Sequence, residues 1–160
     1  MTTVATDGKT IAADSLATAG STKVMYAKDK IMVGGSDRGG AAVFAVSGHA
    51  AMLPHLARWV ERGMADEPPK ATGENSEWNL LIIDYWGARR VESGVPHAFE
   101  VPYPHAMGSG RDFALAAMDA GVSPERAVEI AIGRDVWSGG EIQVVDICRE
   151  LGIDTKLAAE

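Results

Sequence analysis

Thr2-Thr3-Val4-Ala5-Thr6-Asp7-Gly8-Lys9-Thr10-Ile11-Ala12-Ala13-Asp14 reads as a strand over 2–6, a two-residue turn at Asp7-Gly8 and a second strand over 10–14. Removal of Met1, expected before a residue as small as threonine, would leave Thr2 as a free N-terminal residue held in a sheet. A threonine hydroxyl is a weak nucleophile until a base takes its proton, and an N-terminal threonine carries a base on its own Cα. The α-amine has an unperturbed pKa of about 7.7–8.0, near working pH, where a general base is most useful. Read alone, Thr2 and Thr3 are equally β-branched strand formers at an ordinary N-terminus.

Working outward, 30–33 and 42–47 form a second strand pair around the glycine-rich stretch 34–40. Apolar Ala50, Leu53, Leu56, Ala57 and Val60 predict a helix over 49–63, with Pro54 near its first turn. The stretch 64–77, rich in Pro, Gly, Glu and Lys, reads as an exposed loop. Strands over 79–85 and 88–92 flank a Trp86-Gly87 turn, and a short strand follows over 98–101. Two helices come next: 110–120, closed by Gly121, and one that Ser123-Pro124-Glu125 opens with an N-cap, a proline and an acid. Ala127, Ile130, Ala131 and Arg134 mark one face of the second. A strand over 141–147 and a short C-terminal helix complete the chain. This pattern predicts an α+β domain spanning 1–160.

Asp14 closes Ala12-Ala13-Asp14-Ser15-Leu16-Ala17-Thr18-Ala19-Gly20, and Lys30 follows after sixteen residues, before Ile31. As isolated residues they are a strand-end turn acid and a solvated edge charge. Ala45-Val46-Ser47-Gly48-His49-Ala50-Ala51 joins a strand to a helix, Met107-Gly108-Ser109-Gly110 precedes a helix, and Asp135-Val136-Trp137-Ser138 closes one. In that order, over roughly 2–146, these blocks resemble the proteasome β-subunit superfamily of N-terminal nucleophile hydrolases, which includes the HslV-type peptidases. The Asp-to-Lys interval matches that family without a gap. The Thr-to-Asp interval is shorter, as a tighter first hairpin would make it. Ala-Ala-Asp is closer in style to the proteasome and its bacterial homologues than to HslV. His49 beside the oxyanion position and Asp29 before the lysine depart from the family pattern.

The resemblance implies a four-layer αββα sandwich, two antiparallel sheets between helical layers. It also implies a threonine-type endopeptidase in which Thr2 attacks a peptide carbonyl, Lys30 lowers the pKa of the hydroxyl, and Asp14 holds Lys30. Gly48 N–H would form the oxyanion hole, while Ser109, Asp135 and Ser138 would surround the Thr2 amine. Ala17, Val46 and Ala50 would line the first specificity pocket, favouring cleavage after hydrophobic residues, and Thr18 would pair its backbone with an extended substrate. Taken singly, Ser109 is also a helix-entry residue and Ser138 part of a plain Ser-Gly-Gly turn. No cofactor is required, although the backbone at Ile132, Asp135 and Ser138 is where some relatives hold a structural monovalent or divalent cation. The implied assembly is a ring of roughly six or seven subunits, stacked in pairs, that acts on protein or peptide substrates and is fed by an ATPase unfoldase in some relatives. A related amidohydrolase acting on a small amide, and a catalytically silent ring protein retaining Met1, are the alternatives.

Composition agrees. The chain has 160 residues, 46% of them hydrophobic and 23% charged, and a net charge of −7, with Lys and Arg scattered. That balance argues against nucleic acid, and no apolar run is long enough to span a bilayer. The start lacks a secretory pattern and Cys148 is single, so a cytoplasmic location is expected. His49, His55, His97 and His105 show no metal-ligand spacing, and neither glycine stretch continues into a phosphate loop.

Overall fold

The computed structural model describes residues 2–26, 29–73, 76–95 and 97–154. β1 (Thr3–Thr6) and β2 (Thr10–Ala13) form the first hairpin. Its turn is held by Asp7 Oδ1, which accepts from Lys9 N and Thr10 N at 2.8 Å each, and by Gly8 at φ +88°. The hairpin is central to a four-stranded antiparallel sheet ordered β10-β1-β2-β11, in which β10 is His105–Gly108 and β11 is Gln143–Asp146.

The second sheet is five-stranded and antiparallel. Its order is β5 (Ile31–Gly35), β6 (Ala41–Gly48), β7 (Trp78–Asp84), β8 (Gly87–Glu92), β9 (Phe99–Val101). A separate hairpin of β3 (Leu16–Ala19) and β4 (Thr22–Tyr26) turns at Gly20-Ser21. Sequence reading misses this hairpin, because the motif over 12–20 masks its strand character, and it misses β10, because flanking prolines suggest a loop. Lys30 lies immediately before β5 rather than within it.

A 3-10 turn (Ala50–Met52) leads into α1 (Leu53–Glu61), with Pro54 in the first turn, where no helical N–H is lost. The stretch 64–73 carries no helix or strand; of the predicted 64–77 loop, 74–75 lie outside the described residues. α2 (Arg111–Asp119) ends with Gly121 at φ +98°. α3 (Pro124–Ile132) is capped by Ser123 Oγ, which accepts from Arg126 N at 3.2 Å. Its buried face is Pro124, Ala127, Val128 and Ala131; Arg134 is exposed. The predicted last strand gives way at Ile147 to α4 (Ile147–Leu151), because Asp146 accepts from Arg149 N at 3.0 Å as an N-cap.

Alternation along the strands sorts the core. Ala42, Phe44, Val46, Leu80 and Ile82 pack against Leu53, Leu56 and Val60 of α1. On the other side, Val43, Ala45, Leu81 and Ile83 meet Val4, Ile11, Ala13 and Met107 of the four-stranded sheet. The opposite face of that sheet, Ala5, Ala12 and Ala106, packs on Ala114, Met118, Ala127, Val128 and Ala131 of α2 and α3. Small residues on this face let the helices approach closely. No described helix is long and apolar enough to cross a membrane.

Candidate active site

Thr2 immediately precedes β1 and is 1% exposed. Val4 faces the inter-sheet core, so the two-residue period carries the Thr2 side chain to the same side, towards the five-stranded sheet. Thr3 points the other way, and its Oγ1 lies 2.6 Å from Ser138 Oγ. Chain entry is shaped by two glycines. A Cβ on Gly108 (φ +93°) would stand 1.9 Å from Thr2 O, and one on Gly110 would stand 1.9 Å from Thr3 Oγ1.

Asp14 and Lys30 are each 1% exposed and form a buried ion pair. Lys30 is therefore no solvated edge charge. Asp14 Oδ1 accepts from Lys30 Nζ and from Thr3 N, both at 2.9 Å, while Oδ2 accepts from Gly139 N at 2.9 Å and Leu16 N at 3.2 Å. Lys30 Nζ also donates to Leu16 O at 2.7 Å. Burial pushes the Lys30 ammonium below its ordinary pKa, and the charge and hydrogen bond of Asp14 oppose that shift. The carboxylate thus joins the Thr2–Thr3 peptide to the lysine.

A second chain of polar contacts approaches from the helical side. Asp135 Oδ2 accepts from Ser138 Oγ at 2.5 Å and from Ser109 Oγ at 2.7 Å, and Ser109 Oγ also reaches Thr2 O at 3.3 Å. Asp135 Oδ1 accepts from Trp137 N at 3.2 Å. Thr2, Thr3, Ser109, Asp135 and Ser138 are thereby brought together from three separate segments.

Gly48 ends β6 at φ +89°, and a Cβ there would collide with Glu77 O at 2.4 Å. His49 N donates to Glu77 O at 3.1 Å, so Gly48 and Trp78 form a narrow pair in which Gly48 turns its N–H away from β7. That is the side on which Val46 N meets Lys30 O at 3.1 Å. Val46 is fully buried against the α1 side, Ala50 packs against the same cluster, and Ala17 and Thr18 are half-buried on β3. Among the described residues no group of three His, Cys, Asp or Glu could hold a metal. At the proposed backbone cation position, Asp135 O accepts from Ser138 N at 3.2 Å.

Sequence reading misses Thr3, Gly139, Leu16 and Gln143, which contribute mainly backbone or long-range bonds. It also misses Ser47, on the inter-sheet face of β6. Its Oγ and that of Ser15 are buried without a partner among the described residues.

Two packed antiparallel sheets, with the first strand's entry seated on a buried carboxylate–lysine pair, give this chain the fold seen in HslV and in a bacterial BPH. Among solved structures it is similar to Thiobacillus denitrificans BPH, at 23% identity over 92% of this chain and 98% of that one, with a TM-score of 0.64. The same protein in complex with epoxomicin aligns at 22% identity over 91% and 98%, with a TM-score of 0.62. Eukaryotic HslV from Trypanosoma brucei aligns at 18% identity over 90% and 97%, with a TM-score of 0.63. No family model and no curated protein sequence matches the chain.

Proposed function

We propose that this chain is the subunit of a threonine-type endopeptidase in which Thr2, exposed by removal of Met1, is the nucleophile. The observation that carries this reading is the double use of Asp14 Oδ1, which holds Thr3 N–H and Lys30 Nζ at 2.9 Å each, so that an ammonium is anchored one residue from Thr2. Thr2 Oγ1 attacks the peptide carbonyl carbon while the Thr2 α-amine takes the hydroxyl proton and then delivers it to the leaving amine. The resulting acyl ester is hydrolysed by a water whose proton passes to the same amine, which frees the acid and restores Thr2.

Lys30 lowers the pKa of the hydroxyl and disfavours protonation of the amine. Gly48 N–H receives the developing oxyanion, a donor whose loss typically costs about 100- to 1,000-fold in rate. Ser109, Asp135 and Ser138 orient the amine. Ala17, Val46 and Ala50 form a small apolar specificity pocket, and Thr18 pairs with an extended substrate. A cation at the backbone of Ile132, Asp135 and Ser138 would be structural, with no part in the proton transfers.

The three packed clusters support a single four-layer αββα domain. The similarity to HslV supports assembly into rings. Incubation with epoxomicin, the compound bound in the Thiobacillus complex, followed by peptide mass analysis, is the test. The expected result is an adduct on a peptide that begins at Thr2; equal labelling of Thr2→Ala would overturn the assignment.

A further inference from the structure

Lys30 stands just before β5, an edge strand paired, among the described residues, with β6 alone. Strand ends with one free edge fray, because backbone groups on that edge have only water as partner. Here the free edge is closed by a side chain from the other sheet. Gln143 Oε1 accepts from Lys30 N and Ile31 N at 3.1 Å each, and Gln143 Nε2 donates to Ile31 O at 3.0 Å. One amide thus satisfies both backbone groups of Ile31 and the N–H of Lys30, as a neighbouring strand would.

The backbone of Gln143 belongs to β11, the edge strand of the four-stranded sheet, and its register partner on β2 is Ala13, the residue before Asp14. A single residue therefore grips the strand that leads into Asp14 through its main chain and the strand that Lys30 leads into through its side chain. Asn would be one methylene too short to make the same bridge, and an apolar residue would leave Lys30 N–H and both Ile31 groups unpaired.

We propose that Gln143 is a positioning residue that holds the Lys30 backbone against Asp14 and so sets where the Lys30 ammonium stands relative to Thr2. This inference rests on the threonine-peptidase reading for its catalytic consequence, though not for the bridge itself. Among the described residues the ionisable groups around Lys30 are Asp14, just after β2, and the α-amine that Thr2 would expose, with Asp135 beyond Ser138 and Ser109, and with exposed Asp29 next to it in sequence.

The test uses the full chain with Gln143→Met, which fills the same space without hydrogen bonding. The rate of epoxomicin labelling per folded subunit, followed against pH, should fall roughly 10- to 100-fold. Its acidic limb should move to higher pH, since an amine further from an ammonium keeps its proton longer. A rate and profile that superimpose on wild type would overturn the proposal. Lys30 is also followed directly by NMR titration of isotope-labelled lysine. In the variant its pKa should rise towards the ordinary value as the ammonium gains water, and an unchanged titration would equally overturn the bridge. A wild type that fails to label while Lys30 responds to Gln143→Met would sink the peptidase reading and leave the positioning role standing.

Discussion

Asp14→Asn exchanges one oxygen for an NH2 group in a site where four donors converge on the carboxylate: Lys30 Nζ, Thr3 N, Leu16 N and Gly139 N. At 2.9 Å the gross attraction between the charges is about 6 kcal/mol for an effective dielectric constant near 20. Much of that is spent on desolvation, yet removing one member of such a pair leaves the other buried and uncompensated, at a cost of about 3–5 kcal/mol. The asparagine also turns its NH2 against one pair of N–H donors. Lys30 keeps Leu16 O as a partner, which cannot balance its charge.

Because burial already lowers the Lys30 pKa from 10.5, the folded state holds this proton less tightly than the unfolded chain. Loss of Asp14 lowers the folded value further. The deficit of Asp14→Asn relative to wild type should therefore be full below the variant's folded value and shrink as pH rises through it towards the wild type's folded value. Urea unfolding at several pH values between 7 and 10 measures this. Combining Asp14→Asn with Lys30→Met removes both charges and lets the amide oxygen face Leu16 N and Gly139 N, with only Thr3 N opposed. The double variant should recover at least about 2 kcal/mol relative to Asp14→Asn, with a residual cost of about 1–3 kcal/mol for the opposed donor. It should remain inert to epoxomicin. A double variant no more stable than Asp14→Asn, or a deficit that does not narrow with rising pH, would refute the claim that this is a coupled buried charge pair.

Gly108→Ala should cost about 2–4 kcal/mol in chemical denaturation, since the new Cβ meets Thr2 O at 1.9 Å and φ is +93°; a loss below 1 kcal/mol would mean that the Thr2 backbone can move aside. Asp37 and Asp84 have lowered pKa values although burial works to raise them: hydrogen bonds and charge from Arg89 act on Asp37, and Arg38, Ser36 and Trp86 N–H act on Asp84. Their stabilising contribution is complete above an ordinary carboxylate pKa of about 4 and is lost as pH falls through the folded values, so Asp84→Asn should flatten the acid-unfolding transition measured by circular dichroism. Ser123→Ala removes the α3 cap and should lower stability by about 1 kcal/mol, read as a shift in urea midpoint with unchanged slope. Ser138→Ala strands Thr3 Oγ1 and one bond to Asp135, and should cost about 1–3 kcal/mol together with a slower labelling rate.

Much of the architecture is legible locally. The first hairpin follows from β-branched residues around Asp7-Gly8, α3 from its Ser-Pro-Glu opening, and the end of α2 from Gly121, since each depends on backbone preferences and bonds within a few residues. β10 and β3–β4 are less so, because a short strand is defined by the partner it finds; His105–Gly108 becomes a strand by lying along Thr3–Thr6.

The linear chain by itself specifies which chemical groups are available and at what intervals: a threonine after Met1, an acid at 14, a lysine at 30 and a glycine at 48. Only the tertiary structure decides that Lys30 is buried against Asp14, that Asp14 also clasps Thr3 and Gly139, and that Gln143 ties the edges of the two sheets together. The reason is physical. These contacts join residues as much as 125 positions apart, where no backbone preference links the partners; they exist because packing two sheets brings the strand ends together and excludes the water that would otherwise have satisfied each group alone.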